Sequence, residues 1–100
     1  MSYRLDYGPG VEQAIERLAE ADPAGAEMVV DAVEALTIAP RPAGVHVLNA
    51  AEGLHRLHLD RLDPDTRRCL RYRITYQIDD GDMVVLVVTV GSLPRPSRRP

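Results

Sequence analysis

Residues 69–90, CLRYRITYQIDDGDMVVLVVTV, constrain the fold more than any other stretch of the chain. In the first half Leu70, Tyr72, Ile74, Tyr76 and Ile78 alternate with Cys69, Arg71, Arg73, Thr75 and Gln77. A strand sends successive side chains to opposite faces, so this segment has one apolar face and one polar, partly cationic face. Asp80-Gly81 comes next, and such a pair between two strand-like runs signals a two-residue type I′ hairpin turn. The second run, Met83 to Val90, is apolar except for Thr89. A valine-rich run of that length reads as a central strand covered on both faces.

The remaining segments have to pack on this hairpin or extend its sheet. Tyr3, Leu5 and Tyr7 alternate with Arg4 and Asp6, which predicts a short first strand over residues 3–7. Gly8-Pro9-Gly10 ends it. Val11, Ala14, Ile15 and Leu18 form the stripe of an amphipathic helix over residues 10–21. Asp22-Pro23 stops that helix and starts another, with Asp as a cap and Pro in the first helical turn. The second helix runs to about Ile38, with Ala26, Val29, Val30, Val33 and Leu36 or Thr37 as its stripe. So short a connection makes the pair an antiparallel helical hairpin.

The prolines at 40 and 42 predict a loop. Val45 to Leu48 reads as a brief extended piece, and residues 49–53 as a turn. Leu54 to Asp60 alternates again, with His55, Leu57 and Leu59 on one face and Leu54, Arg56 and His58 on the other. Asp63-Pro64-Asp65 matches a type I turn. The order is β-α-α-β-β-β: a single α+β domain over residues 1–91, an antiparallel sheet packed against an N-terminal helical hairpin. Residues 92–100, rich in proline and arginine, are expected to be a mobile tail.

Charge divides the chain unequally. Residues 1–40 hold two arginines against eight acids, and residues 41–100 hold ten against seven. This balance predicts an acidic helical half and a basic sheet half. The single cysteine, Cys69, excludes an intramolecular disulfide and reads as a half-buried structural thiol. There is no run of ~18 apolar residues to span a membrane and no charged-then-apolar leader at the N-terminus. A soluble cytoplasmic protein is expected. His46, His55 and His58 have no compact metal-ligand spacing, so no metal site is expected. His55 falls with Leu57 and Leu59 and reads as packed; Tyr72 and Tyr76 read as core.

This order of elements, with these residues, resembles the RelE/ParE superfamily of bacterial type II toxins over residues 3–91. The similarity rests on the Tyr-rich opening strand and on a helical hairpin with a leucine near the end of each helix. It rests further on Gly53-Leu54-His55-Arg56-Leu57, on Tyr72-Arg73-Ile74-Thr75-Tyr76-Gln77-Ile78, and on the acidic turn with the valine-rich strand ending in Val90-Gly91. The resemblance implies a partner antitoxin that wraps the toxin and covers its basic face. It implies one of two activities: translation-dependent cleavage of messenger RNA on the ribosome, without metal or cofactor, or inhibition of DNA gyrase. A catalytically inactive, antitoxin-binding module is the third outcome open to such a chain.

For RNA cleavage the resemblance places the basic strand positions on Arg56, His58 and Arg73. Ser92 and Leu93 come after Val90-Gly91, where the RNA-cleaving members carry an arginine, and no tyrosine stands beyond Tyr76. Cleavage by RNA's own 2′-hydroxyl needs a proton acceptor, charge stabilisation at phosphorus and a proton donor for the leaving oxygen. Arg73 and Arg56 are the candidates for the phosphate and His58 for the proton. Arg71, Arg67, Arg68 and Arg95 are the candidates for further RNA contacts.

Overall fold

The computed structural model describes residues 2–93. Its elements are β1 (Arg4–Tyr7), α1 (Val11–Ala21), α2 (Pro23–Ala35), β2 (His46–Asn49), β3 (Leu54–Leu62), β4 (Cys69–Asp79) and β5 (Val84–Leu93). The five strands form one sheet in the order β1-β5-β4-β3-β2. The α+β class and the helical hairpin are as the sequence pattern predicts. Two features of the sheet are not. His46–Asn49 pairs with β3 as an edge strand, and β1 joins β5 in parallel, so only β2 to β5 are antiparallel.

One face of the sheet carries the core. Tyr72, Ile74, Tyr76 and Ile78 of β4 and Val85 and Val87 of β5 are buried against Val29, Val33 and Leu36 of the second helical segment and Val11 of α1. Burying each aliphatic side chain contributes about 1.5–3 kcal/mol. The alternation along β4 therefore decides which way the strand faces. The two core tyrosines still place their hydroxyls. Tyr76 donates to the Pro40 carbonyl at 2.7 Å, tying the proline loop to the core, and Tyr72 donates to the Asp22 carboxylate.

Asp22 lies at the junction of the two helices. It is not used as a side-chain cap. Arg61, on the helix side of β3, instead grips both of its carboxylate oxygens, Nη2–Oδ1 2.6 Å and Nε–Oδ2 3.1 Å. This planar fork holds the tip of the helical hairpin to the sheet. Gly25 has to be glycine here, because a Cβ would meet the Tyr72 hydroxyl at 2.7 Å.

Three local expectations are corrected. The β4–β5 connection is four residues, 80–83, and the positive φ is at Met83 (57°) rather than at the Asp80-Gly81 pair. The Met83 carbonyl is thereby turned outward to accept the Arg4 amide at 2.7 Å, which seats β1 on the sheet. Four-residue loops are a normal alternative to the type I′ turn. Next, β5 is an interior strand between β1 and β4, as expected, but helices cover it on one face only. A bulge between Thr75 and Tyr76 on one side and Thr89 and Val87 on the other leaves Val88 exposed. It also reverses the facing of the rest of β5, so Thr89 and Gly91 point away from the helices. Finally, Cys69 is exposed, because it pairs with Leu62 on the open face near the end of the hairpin.

β5 continues to Leu93, two residues into the segment expected to be a tail. Arg95, Arg98 and Arg99, with the rest of that tail, lie outside the described residues.

Candidate functional site

The face of the sheet turned away from the helices holds the basic residues. Residues directly opposite in paired strands share a face. The β3–β4 register sets Arg56 opposite Thr75, His58 opposite Arg73 and Asp60 opposite Arg71. On the far side of β4, Thr89 lies opposite Thr75 and Gly91 opposite Arg73. Among the described residues nothing lies within 4 Å of where a Gly91 Cβ would stand, so none of them covers the surface beside Arg73 there. Arg56, His58 and Arg73, the three residues singled out for chemistry, are thus brought together.

Their commitments differ. Arg71 shares the face but is held by Asp60 in a two-point ion pair, 2.7 and 3.0 Å, so its charge is already matched. Arg56 and Arg73 make no ion pair among the described residues. Arg56 Nε is buried and has no hydrogen-bond partner among the described residues. Arg67 and Arg68 lie on the exposed β3–β4 loop, residues 63–68. Arg68 is five strand residues from Arg73, about 17 Å along the sheet. These two arginines flank the face and do not line its centre.

His58 is half-buried between these cations. Burial, then the charges of Arg71, His46, Arg56 and Arg73, pushes its pKa below the ordinary imidazole value. At neutral pH the ring is therefore mainly uncharged and can accept a proton. His55, one residue before Arg56, takes the opposite role. It is buried, stacked on Tyr76 with ring centres 5.6 Å apart, and bonded through Nδ1 to the Gly53 carbonyl at 2.7 Å. It is packed, as its neighbours Leu57 and Leu59 predict.

The residue that sequence reasoning missed is His46. It lies on β2 opposite Arg56, with its ring centre 5.7 Å from that of His58. Every residue of β2 is exposed, so no buried alternation in the sequence marks this segment as part of the sheet.

A larger groove, about 580 Å³, opens elsewhere and is lined by Arg41, Gly53, His55 and Asp80 among others. Arg41 there is bound to Asp80 at 2.7 Å and His55 is committed to the core, so that groove offers less free chemistry than the flat basic face.

No protein-family model matches the chain, and no curated protein does. Solved structures do. The intact Escherichia coli RelBE toxin–antitoxin complex contains a chain 21% identical, with a TM-score of 0.67, covering 94% of this chain and 100% of that one. The RelBE2 toxin–antitoxin complex of Mycobacterium tuberculosis matches at 20% identity and a TM-score of 0.65, over 93% and 100% of the two chains. The isolated E. coli RelE toxin matches at 21% identity and a TM-score of 0.63, over 94% and 87%. At these identities the likeness is one of architecture, and it covers nearly all of the described residues: the chain has the fold of the RelE toxins.

Proposed function

We propose that the chain is the toxin of a toxin–antitoxin pair and that it cleaves messenger RNA on the translating ribosome through the open face of its sheet. The observation that carries this reading is the β3–β4 register, which gathers Arg56, His58 and Arg73 on one face with both arginines free of ion pairs among the described residues. The likeness to chains solved as RelBE toxin–antitoxin complexes supports an antitoxin as partner. Such a partner would cover the basic face with an extended or helical segment, most simply an acidic one.

In the reaction, Arg73 and Arg56 receive the phosphate, and their fixed charges stabilise the negative charge that develops on it. His58, held toward its neutral form by burial and then by its cationic neighbours, takes the proton of the attacking 2′-hydroxyl. No group of this scheme is a metal or cofactor.

The test is induced expression in a bacterium, with growth followed and messenger ends mapped by primer extension. Growth arrest with new cuts at in-frame codon positions, abolished by Arg73→Ala and by His58→Ala, is expected. Arrest without cuts but with DNA-damage signalling would transfer the chain to gyrase inhibition. Soluble protein with no arrest would leave a binding module.

A further inference from the structure

RNA cleavage by the proposed route needs a proton donor as well as an acceptor, and Arg56, Arg73 and His58 supply only the acceptor. Resting on that route, we infer that His46 is the donor: it protonates the leaving 5′-oxygen while His58 accepts the proton of the 2′-hydroxyl.

Geometry separates these two histidines from a packing pair. β2 and β3 are antiparallel, and His46 opposite Arg56 puts it diagonally beside His58 on the open face. The ring centres are 5.7 Å apart and the planes are inclined by 57°, so the rings do not stack. Neither ring makes a hydrogen bond among the described residues, whereas the packed His55 is held by the Gly53 carbonyl. Hydrogen-bond reach is about 2.6–3.2 Å, so two rings at this spacing can contact different oxygens of one phosphodiester lying across their outer edges. Arg73 stands opposite His58 and Arg56 opposite His46, which places a cation beside each ring.

The charges around the pair favour division of labour. Facing His58 are Arg56, Arg71, Arg73 and His46, with Asp60 on the same face bound to Arg71. A charge on His46 disfavours a proton on His58, as do the arginines around it. His58 is the more enclosed ring and is held toward its neutral form, first by burial and then by the charges around it; His46, on the edge strand, is exposed and open to a leaving group.

The step balances without a co-reactant. The 2′-oxygen loses its proton to His58 and bonds to phosphorus. The bond from phosphorus to the 5′-oxygen breaks, and that oxygen takes the proton from His46. The products are a 2′,3′-cyclic phosphate and a 5′-hydroxyl, and both histidines return to their starting state by exchange with water.

The experiment uses the full chain and ribosomes programmed with a messenger carrying either an ordinary linkage or a bridging 5′-phosphorothiolate in the A-site codon. A thiolate leaves without protonation. On the ordinary linkage His46→Ala and His58→Ala are each expected to lose about a hundredfold in single-turnover rate. The acid limb of the wild-type pH profile, set by His58, should be missing in His58→Ala. On the phosphorothiolate His46→Ala should recover to near the wild-type rate, while His58→Ala stays about a hundredfold slow. Cleavage of the ordinary linkage by His46→Ala at the wild-type rate, or equal behaviour of the two variants on the phosphorothiolate, would overturn the assignment and leave the RNase reading standing. No cleavage by the wild-type chain would overturn both.

Discussion

On the helix side of β4, Tyr72, Ile74, Tyr76 and Ile78 are each at most 5% exposed, and even the polar groups there are matched. Arg61 meets Asp22, and the Tyr72 and Tyr76 hydroxyls both donate. On the opposite side of the same strand Arg73 has no ion-pair partner among the described residues, nor has Arg56 on the neighbouring strand, and His58 is held away from its charged form. The inner face matches its polar groups internally; the outer face pairs Arg71 with Asp60 and leaves Arg56 and Arg73 without an ion pair among the described residues. A buried face that left an arginine unpaired would be strongly destabilised. A half-exposed face tolerates it because water solvates the charge until a ligand replaces the water. The lesson is that stability and function divide along the two-residue period of a single strand.

Substitutions on the two sides should therefore separate cleanly. Tyr76→Ala, on the inner side, should cost about 3–5 kcal/mol in urea unfolding, the range for removing a buried aromatic ring. It removes the Pro40 bond as well. Arg73→Ala, on the strand's polar side, should leave that unfolding curve within about 0.5 kcal/mol. It should slow messenger cleavage by about 10²–10³, equivalent to roughly 2.7–4 kcal/mol of transition-state stabilisation. An Arg73→Ala variant that unfolds easily, or a Tyr76→Ala variant that folds normally and is inactive, would break the division.

The ion pairs sharpen it. Asp22 is held at about 2, from an ordinary 3.8, chiefly by the Arg61 hydrogen bonds. A carboxylate whose folded pKa is depressed stabilises the fold above its unfolded value and loses that contribution as pH falls through the folded value. The wild type should thus lose about 2 kcal/mol between roughly pH 4 and pH 2 from this group. Asp22→Asn should cost about as much at pH 7 and lack that part of the acid dependence, as read by urea midpoints at several pH values. The exposed partner pair, Asp60 with Arg71, is the smallest effect. Asp60→Asn should change stability by under about 1 kcal/mol. It should release Arg71 to bind a short single-stranded RNA a few-fold more tightly at low salt, with a steeper loss on adding salt. Urea unfolding would check the first and fluorescence anisotropy the second.

Much of this is legible in the sequence because β4 is so regular. Its alternation predicts a core face and a basic face, and the facing of Arg56, His58, Arg71 and Arg73 comes from parity alone. His55 beside Leu57 and Leu59 is likewise readable as packed. Parity within a strand says nothing about which strand lies beside it. His46 escapes notice for that reason: four exposed residues with no apolar alternation give no local sign of belonging to a sheet. The β4–β5 turn misleads because Asp80-Gly81 suits a type I′ turn, whereas the chain puts its positive φ at Met83. With that geometry the Met83 carbonyl accepts the amide of Arg4, far away in the chain, a contact that no local pattern shows. The exposure of Cys69 and the neutralisation of Arg71 by Asp60 depend in the same way on register.

By itself, then, the sequence determined the two helices, the strands β1, β3, β4 and β5, and the division of the chain into an acidic helical half and a basic sheet half. These are local or summed properties, set by side-chain period, helix-breaking residues and charge. Only the tertiary structure decided that β1 lies parallel to β5, that Gly91 stands beside Arg73, that Arg71 is already paired, and that His46 stands 5.7 Å from His58. Each of those depends on which residue faces which across strands that are separate in the chain, and that choice is made by the packing of the whole core at once.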